Sequence, residues 1–338
     1  MRRCRNQQTI IFRQSNFLII LPKIIRPLKI FVVMVDLKIK IRGLEFPTPV
    51  FVASGTFGYG QEAADLVNLK GLGAIITKSI GPQPRLGNPA PRLFETSAGL
   101  LNSIGLQNVG VQNFIVEKLP FLRGLGVPII VNIAGRSLEE YLEVARRLEA
   151  HEGIAGYELN FSCPNVKEGG LEFSQKAEIT ERATRAVREV TQRLVIPKLT
   201  PNVTRVSEIA QAAEAGGADA VALINTLTGM AIDIETWRPR LNTVIGGYSG
   251  PAIKPVALAK VYETARAVKI PVIGIGGITN WQDAVEFFLA GATAVQIGSA
   301  NFVEPRTGVF VAEGLRNYLA ARQLESIGGL VGQIKTGY

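Results

Sequence analysis

The chain has 338 residues, 47% of them hydrophobic and 19% charged, which is enough for one large core. Its two cysteines, Cys4 and Cys163, can form neither a disulfide framework nor a zinc site of three or four clustered ligands, so the composition suits a reducing cytoplasm. The net charge of +9 is concentrated at one end: residues 1–33 carry seven basic side chains and no acidic one, so no basic stripe for nucleic acid remains in the body. His151, the single histidine, stands beside Glu149 and Glu152 at the end of an expected helix and reads as a surface residue, which leaves triads and His-rich metal sites one candidate at most.

In chain order, residues 17–35 are rich in Ile, Leu and Phe, but Pro22, Lys23, Arg26, Pro27 and Lys29 interrupt them. No uncharged stretch is long enough for a transmembrane helix, and no small-residue cleavage site marks a signal peptide. A basic membrane-surface anchor is the rival to the reading preferred here, in which Met34 is the natural start and residues 1–33 form a disordered or non-native extension. Residues 34–338 then form a single folded domain. The alternation of Ile39, Ile41, Leu44 and Phe46 predicts a hairpin over 38–46 that closes the bottom of that domain.

From Val50 onward, short β-branched runs alternate with helical stretches. The runs are 50–54, 74–78, 129–133, 157–161, 197–199, 220–225, 271–275 and 294–298, and the helical stretches include 138–150, 179–193, 206–215, 256–268 and 281–290. Eight such units close an α/β (β/α)8 TIM barrel, with a doubly wound open sheet as the rival fold. Glycines in Gly216-Gly217, Gly291 and Gly73 are expected to be left-handed C-caps. Insertions at 81–113 and 227–250 follow the second and sixth strands, on the C-terminal face where barrel active sites are built.

Polar residues recur at the strand ends: Ser54, Lys78-Ser79, Asn132, Asn160, Cys163, Lys198, Asn225-Thr226, Gly276-Gly277 and Gly298-Ser299. Lys198, flanked by apolar residues, reads as inward-facing and so needs an anionic or carbonyl partner. Gly276-Gly277 or Gly298-Ser299 alone is compatible with a tight turn, but together after strands seven and eight they point to a phosphate site. Cys163 lies on a loop with Asn160 and Asn165 near it and Gly169-Gly170 beyond. A lone cysteine is most often a small buried hydrophobe, yet a loop thiol near its ordinary pKa serves either as a base or as a nucleophile, and local chemistry does not choose.

Seven ordered motifs from Val35 onward resemble the dihydroorotate dehydrogenase family, in particular its NAD-linked class 1B. They are Ala53-Ser54-Gly55-Thr56-Phe57, Thr77-Lys78-Ser79, Asn102-Ser103-Ile104-Gly105-Leu106-Gln107-Asn108, Asn160-Phe161-Ser162-Cys163-Pro164-Asn165-Val166-Lys167, Lys198-Leu199-Thr200-Pro201-Asn202-Val203, Ile224-Asn225-Thr226 and Ser249-Gly250-Pro251-Ala252-Ile253-Lys254-Pro255.

The resemblance implies FMN-dependent oxidation of (S)-dihydroorotate to orotate in pyrimidine biosynthesis. It implies that Ser54, Lys78, Ser79, Asn132, Asn160, Lys198, Ile224, Gly250, Gly276, Gly277, Gly298 and Ser299 contact FMN. Substrate would be held by Lys78, Asn102, Ser103, Ile104, Gly105, Leu106, Asn160, Asn165, Asn225 and Thr226, with Cys163 as the base. Cysteine rather than serine at that position points away from the quinone-linked class. The class also implies a partner subunit carrying FAD and a [2Fe–2S] cluster that passes electrons to NAD, in a heterotetramer of two catalytic and two electron-transfer chains. Two cysteines could not ligate such a cluster here, which agrees with an external partner. The fumarate-linked class 1A and a dihydropyrimidine dehydrogenase-like pyrimidine reductase are the alternative enzymes. A non-catalytic flavin-binding barrel is the alternative of another kind.

Overall fold

The computed structural model describes residues 34–161 and 175–337. Eight strands form a closed parallel barrel: β1 Val50–Val52, β2 Ala74–Ile76, β3 Ile129–Ile133, β4 Gly156–Asn160, β5 Leu194–Lys198, β6 Val221–Leu223, β7 Val272–Ile275 and β8 Ala294–Ile297. Each pairs with its sequence neighbours and β8 closes onto β1, with Val295 opposite Val50 and Ile297 opposite Val52. Nearly all strand residues are buried, as expected where helices cover the outside and side chains fill the inside. β5 begins three residues before the expected run, at Leu194. Pro197 sits within the parallel ladder, opposite Leu159.

The main outer helices are α1 Leu138–Glu149, α2 Ala177–Val190, α3 Val206–Ala215, α4 Lys254–Ala265, α5 Trp281–Leu289 and α6 Thr307–Ala321. α1 shows why such segments become helices: Ser137 caps it by accepting from Glu140 N, acids occupy its first turn and arginines its last. Tyr141, Val144, Ala145 and Leu148 form its buried stripe. The first unit departs from the pattern, since only short 3-10 turns, Gln61–Ala63 and Leu69–Gly71, join β1 to β2. Gly217 and Gly291 have the positive φ expected after a helix. Gly73 does not: it follows a 3-10 turn, and a Cβ there would lie 2.0 Å from the Thr48 carbonyl, so space rather than handedness requires glycine.

The hairpin is present as Ile39–Ile41 paired antiparallel with Leu44–Phe46. Ile39, Ile41 and Phe46 are buried with Val50, Phe51 and Leu194, residues that begin barrel strands, and the Phe46 and Phe51 rings lie 5.0 Å apart. At the opposite end, the two insertions combine into one antiparallel sheet in the order Leu227–Met230, Ile245–Ser249, Gly99–Asn102, Leu93–Thr96. Gly247 pairs with Asn102 and Ser249 with Leu100. No helix among the described residues is long and apolar enough to cross a membrane.

Candidate active site

A cavity of about 270 Å³ opens at the C-terminal ends of the barrel strands. Ser54 after β1, Lys78 and Ser79 after β2, Asn160 on β4 and Lys198 on β5 face it. Ile224, Asn225 and Thr226 after β6, Gly276-Gly277 after β7 and Gly298-Ser299 after β8 complete the ring. The insertions add Asn102, Ile104, Gly105, Leu106 and Gly250. Two expected residues do not line it. Asn132 is wholly buried, accepting from Ser79, and Ser103 is buried with its hydroxyl lacking a hydrogen-bond partner among the described residues. Cys163 and Asn165 lie outside the described residues.

On the β7–β8 side, recognition falls to the backbone. Gly276 and Gly277 have φ of +127° and +73°, and Gly277 packs so closely on the start of α4 that a Cβ would lie 2.7 Å from Lys254 Cβ. Gly298 leads into the short 3-10 turn Ser299–Phe302. Glycine turns of this kind at the ends of β7 and β8 bring backbone N–H groups within reach of an anion, which is the usual barrel phosphate geometry.

The other side offers side chains. Asn225 Nδ2 donates to Asn160 Oδ1 at 3.3 Å, and Asn102 Nδ2 donates to the Gly247 carbonyl at 3.2 Å. Gly247 is small because Thr226 is close: a Cβ there would meet Thr226 Oγ1 at 2.2 Å. The 102–106 loop is fixed by Asn88, which donates to the Ser103 carbonyl, and by Asn108, which donates to the Leu106 carbonyl. Lys78 is half-buried, and burial, followed by the nearby Arg92 guanidinium, holds its ammonium below the usual lysine range, with Glu62 opposing. A cation among amides suits a planar anion that carries carbonyl and N–H groups.

Lys198, on β5, reaches a residue after β1 and one on β4. It is 4% exposed, its Nζ lies 3.3 Å from Ser54 Oγ, and it pairs with the wholly buried Glu158 at 3.5 Å. Glu158 is the anionic partner that a buried lysine requires, and the motifs passed over it. Its signal was present in Tyr157-Glu158-Leu159-Asn160: in a strand, a residue two before Asn160 shares its face, so Glu158 points inward with it. Gln296, a polar residue inside the buried run of β8, carried the same signal.

Comparison with known proteins agrees with this geometry. A family profile described as Dihydroorotate dehydrogenase matches residues 36–319. A Geotalea uraniireducens (strain Rf4) protein named dihydroorotate dehydrogenase B (NAD(+)), catalytic subunit, is 52% identical over 301 residues, covering 89% of this chain and 99% of its own length. A Thermoanaerobacter sp. (strain X514) protein of the same name is 51% identical over 300 residues, covering 89% of this chain and 99% of its own. A crystal structure of DHODH from Eimeria tenella in complex with ferulenol superposes with a TM-score of 0.73 at 23% identity, covering 88% of each chain, and supports the fold. A match across most of the chain, together with a barrel whose strand ends converge on one cavity, means that this chain belongs to the dihydroorotate dehydrogenase family.

Proposed function

We propose that the chain oxidises (S)-dihydroorotate to orotate with FMN, in de novo pyrimidine (UMP) biosynthesis, as the catalytic subunit of an NAD-linked enzyme in the cytoplasm. The observation that carries this reading is one cavity lined both by glycine turns after β7 and β8 and by Lys78, Asn102, Asn160, Asn225 and Thr226. The donor set fits FMN. Gly276-Gly277 and Gly298-Ser299, with Gly250 nearby, suit its phosphate, and Ser54, Lys78, Ser79, Asn160, Ile224 and Lys198 suit its ring. Asn132 supports the ring from below through Ser79.

Bound FMN supplies a two-electron acceptor for hydride. The chain's own residues do the rest. Lys198 sets a positive charge where negative charge develops. Lys78 offsets the substrate carboxylate, while Asn102, Asn160, Asn165, Asn225 and Thr226, with backbone from 103–106, match its carbonyl and imide edges. Cys163 removes the proton from the carbon beside the ring carbonyl, so a Cys163→Ser variant keeps its flavin, loses about 100-fold or more in turnover near neutral pH and recovers in part at high pH. Electrons leave through a partner subunit with FAD and a [2Fe–2S] cluster, two of each chain forming a heterotetramer. The relatives' printed names, NAD(+) and catalytic subunit, support NAD linkage and a separate partner subunit. Residues 1–33 lie outside both the described residues and the 36–319 family match, and the reading gives them no part in catalysis.

The test is anaerobic addition of dihydroorotate to the purified protein, followed at the flavin absorbance. Bleaching by dihydroorotate but not by dihydrouracil is expected, with reoxidation by NAD only when the partner subunit is present. Bleaching by dihydrouracil instead would replace the substrate, and direct reoxidation by fumarate would replace the class.

A further inference from the structure

Beneath the cavity floor, the barrel interior holds a carboxylate that the chemistry above does not use. Glu158, on β4, is completely buried. Its Oε1 accepts from Asn132 Nδ2 at 2.7 Å and from Lys198 Nζ at 3.5 Å, and its Oε2 accepts from Gln296 Nε2 at 2.6 Å. A buried ion pair seldom adds stability over apolar side chains of the same volume, so stability alone does not account for it.

The hydrogen bonds leading to Glu158 run in one direction. Asn225 Nδ2 donates to Asn160 Oδ1 at 3.3 Å, and Asn160 Nδ2 donates to Ser79 Oγ at 3.3 Å. Ser79 Oγ donates to Asn132 Oδ1 at 2.5 Å, and Asn132 Nδ2 donates to Glu158. Each amide in such a row could be turned over and each hydroxyl rotated, but an ionised carboxylate only accepts. With that end fixed, Asn132 must show its NH2 to Glu158 and its carbonyl to Ser79. Ser79 then sends its proton to Asn132 and a lone pair to Asn160, and Asn160 turns its carbonyl to Asn225. Ser79, Asn160 and Asn225 all line the cavity. A second branch runs through Lys198, which also lines the cavity and whose charge Glu158 offsets.

We propose that Glu158 is a positioning residue that never touches the ligands. It sets the donor and acceptor orientation of the Ser79–Asn160–Asn225 row, and it sets the net charge that Lys198 presents to the flavin. This inference rests on the FMN and dihydroorotate reading above.

A Glu158→Gln variant tests both halves, because glutamine keeps the shape, loses the charge and can donate. The midpoint potential of its bound flavin should rise by a tenfold change in the oxidised-to-reduced ratio, about 30 mV for a two-electron couple. The Kd of orotate for the oxidised holoenzyme should rise about tenfold, the size of one lost oriented hydrogen bond to a ligand. A role confined to folding moves neither quantity in protein that retains its flavin. Glu158→Asp keeps the charge and the acceptor-only end but withdraws it from Asn132 and Gln296, so the potential should stay at the wild-type value while orotate binding weakens severalfold.

If Glu158→Gln has the wild-type potential and orotate affinity, the proposal is overturned. If that variant does not fold, the aspartate variant decides: a moved potential removes the charge half, and an unchanged orotate Kd removes the orientation half. Failure of wild-type protein to bleach with dihydroorotate would be a failure of the flavin reading itself, seen before any Glu158 variant is measured.

Discussion

The two walls of the cavity are made of different material. At β7 and β8 the chain presents backbone, with turns held in conformations that glycine adopts readily and with α4 packed directly behind them. From β2, β4, β6 and the added sheet it presents side chains: a lysine, three asparagines and a threonine, positioned by Asn88, Asn108 and the pairing of Gly247 with Asn102. A backbone wall can hold a phosphate, whose oxygens are alike and need only N–H groups. A flat ring with distinct edges needs amides held in one orientation, and those take long insertions to deliver. The difference teaches that cofactor and substrate recognition should separate on mutation of the glycine turns and of the added sheet, but not at Asn160, given to both, nor above the buried Lys198.

That residue gives the largest expected effect. Lys198→Ala leaves the Glu158 carboxylate buried without its cation, a loss of about 3–5 kcal/mol by analogy with broken buried pairs. The purified protein should be pale or colourless with a lowered melting temperature; a normal flavin spectrum and rate would show that the walls share no floor. Next comes the substrate wall. Gly247→Ala drives a methyl into Thr226 and should raise the KM for dihydroorotate roughly tenfold or more, with FMN content unchanged. Gly277→Ala does the reverse on a smaller scale. Its Cβ meets Lys254 at φ +73°, and strain of about 1–3 kcal/mol should weaken FMN binding while the KM of the flavin-loaded fraction stays the same. If either variant moved both quantities equally, the separation would fail.

The walls were also unequally legible in the sequence. Glycines after the last two strands are legible as pointing to a phosphate site because the residue type and the conformation it permits are one fact. The substrate wall was legible in its residues but not in its construction. Nothing local in 81–113 or 227–250 says that Leu100 will pair with Ser249, since cross-strand partners nearly 150 positions apart leave no periodic trace. Asn132 and Ser103 show a related limit: a motif names a neighbourhood, and only packing decides that one lies a layer below the cavity and the other points into the core. Glu158 was hidden for another reason. A charged residue in a buried strand goes against the usual rule of charge outside, so it is informative only once its face is traced from Asn160.

The smallest effect expected is in the pH dependence of the substrate wall, and it distinguishes a charge held for binding from one that merely happens to be near. The charged form of Lys78 is the form that binds a carboxylate. Burial and then Arg92 lower its pKa, so the charge is complete below that lowered value and is lost as pH rises through it. In the free enzyme, kcat/KM for dihydroorotate should therefore decline on the alkaline side, several-fold and earlier than an ordinary lysine would allow. Lys78→Met should have the low value at every pH and lack that decline. Arg92→Gln removes the second of the two causes and should move the decline to higher pH. FMN binding, followed across the same range by flavin fluorescence, should show a much smaller step in the wild type, because its phosphate is held by backbone and Lys78 would meet only its ring. A step of equal size in both titrations would show that Lys78 holds the flavin as strongly as the substrate.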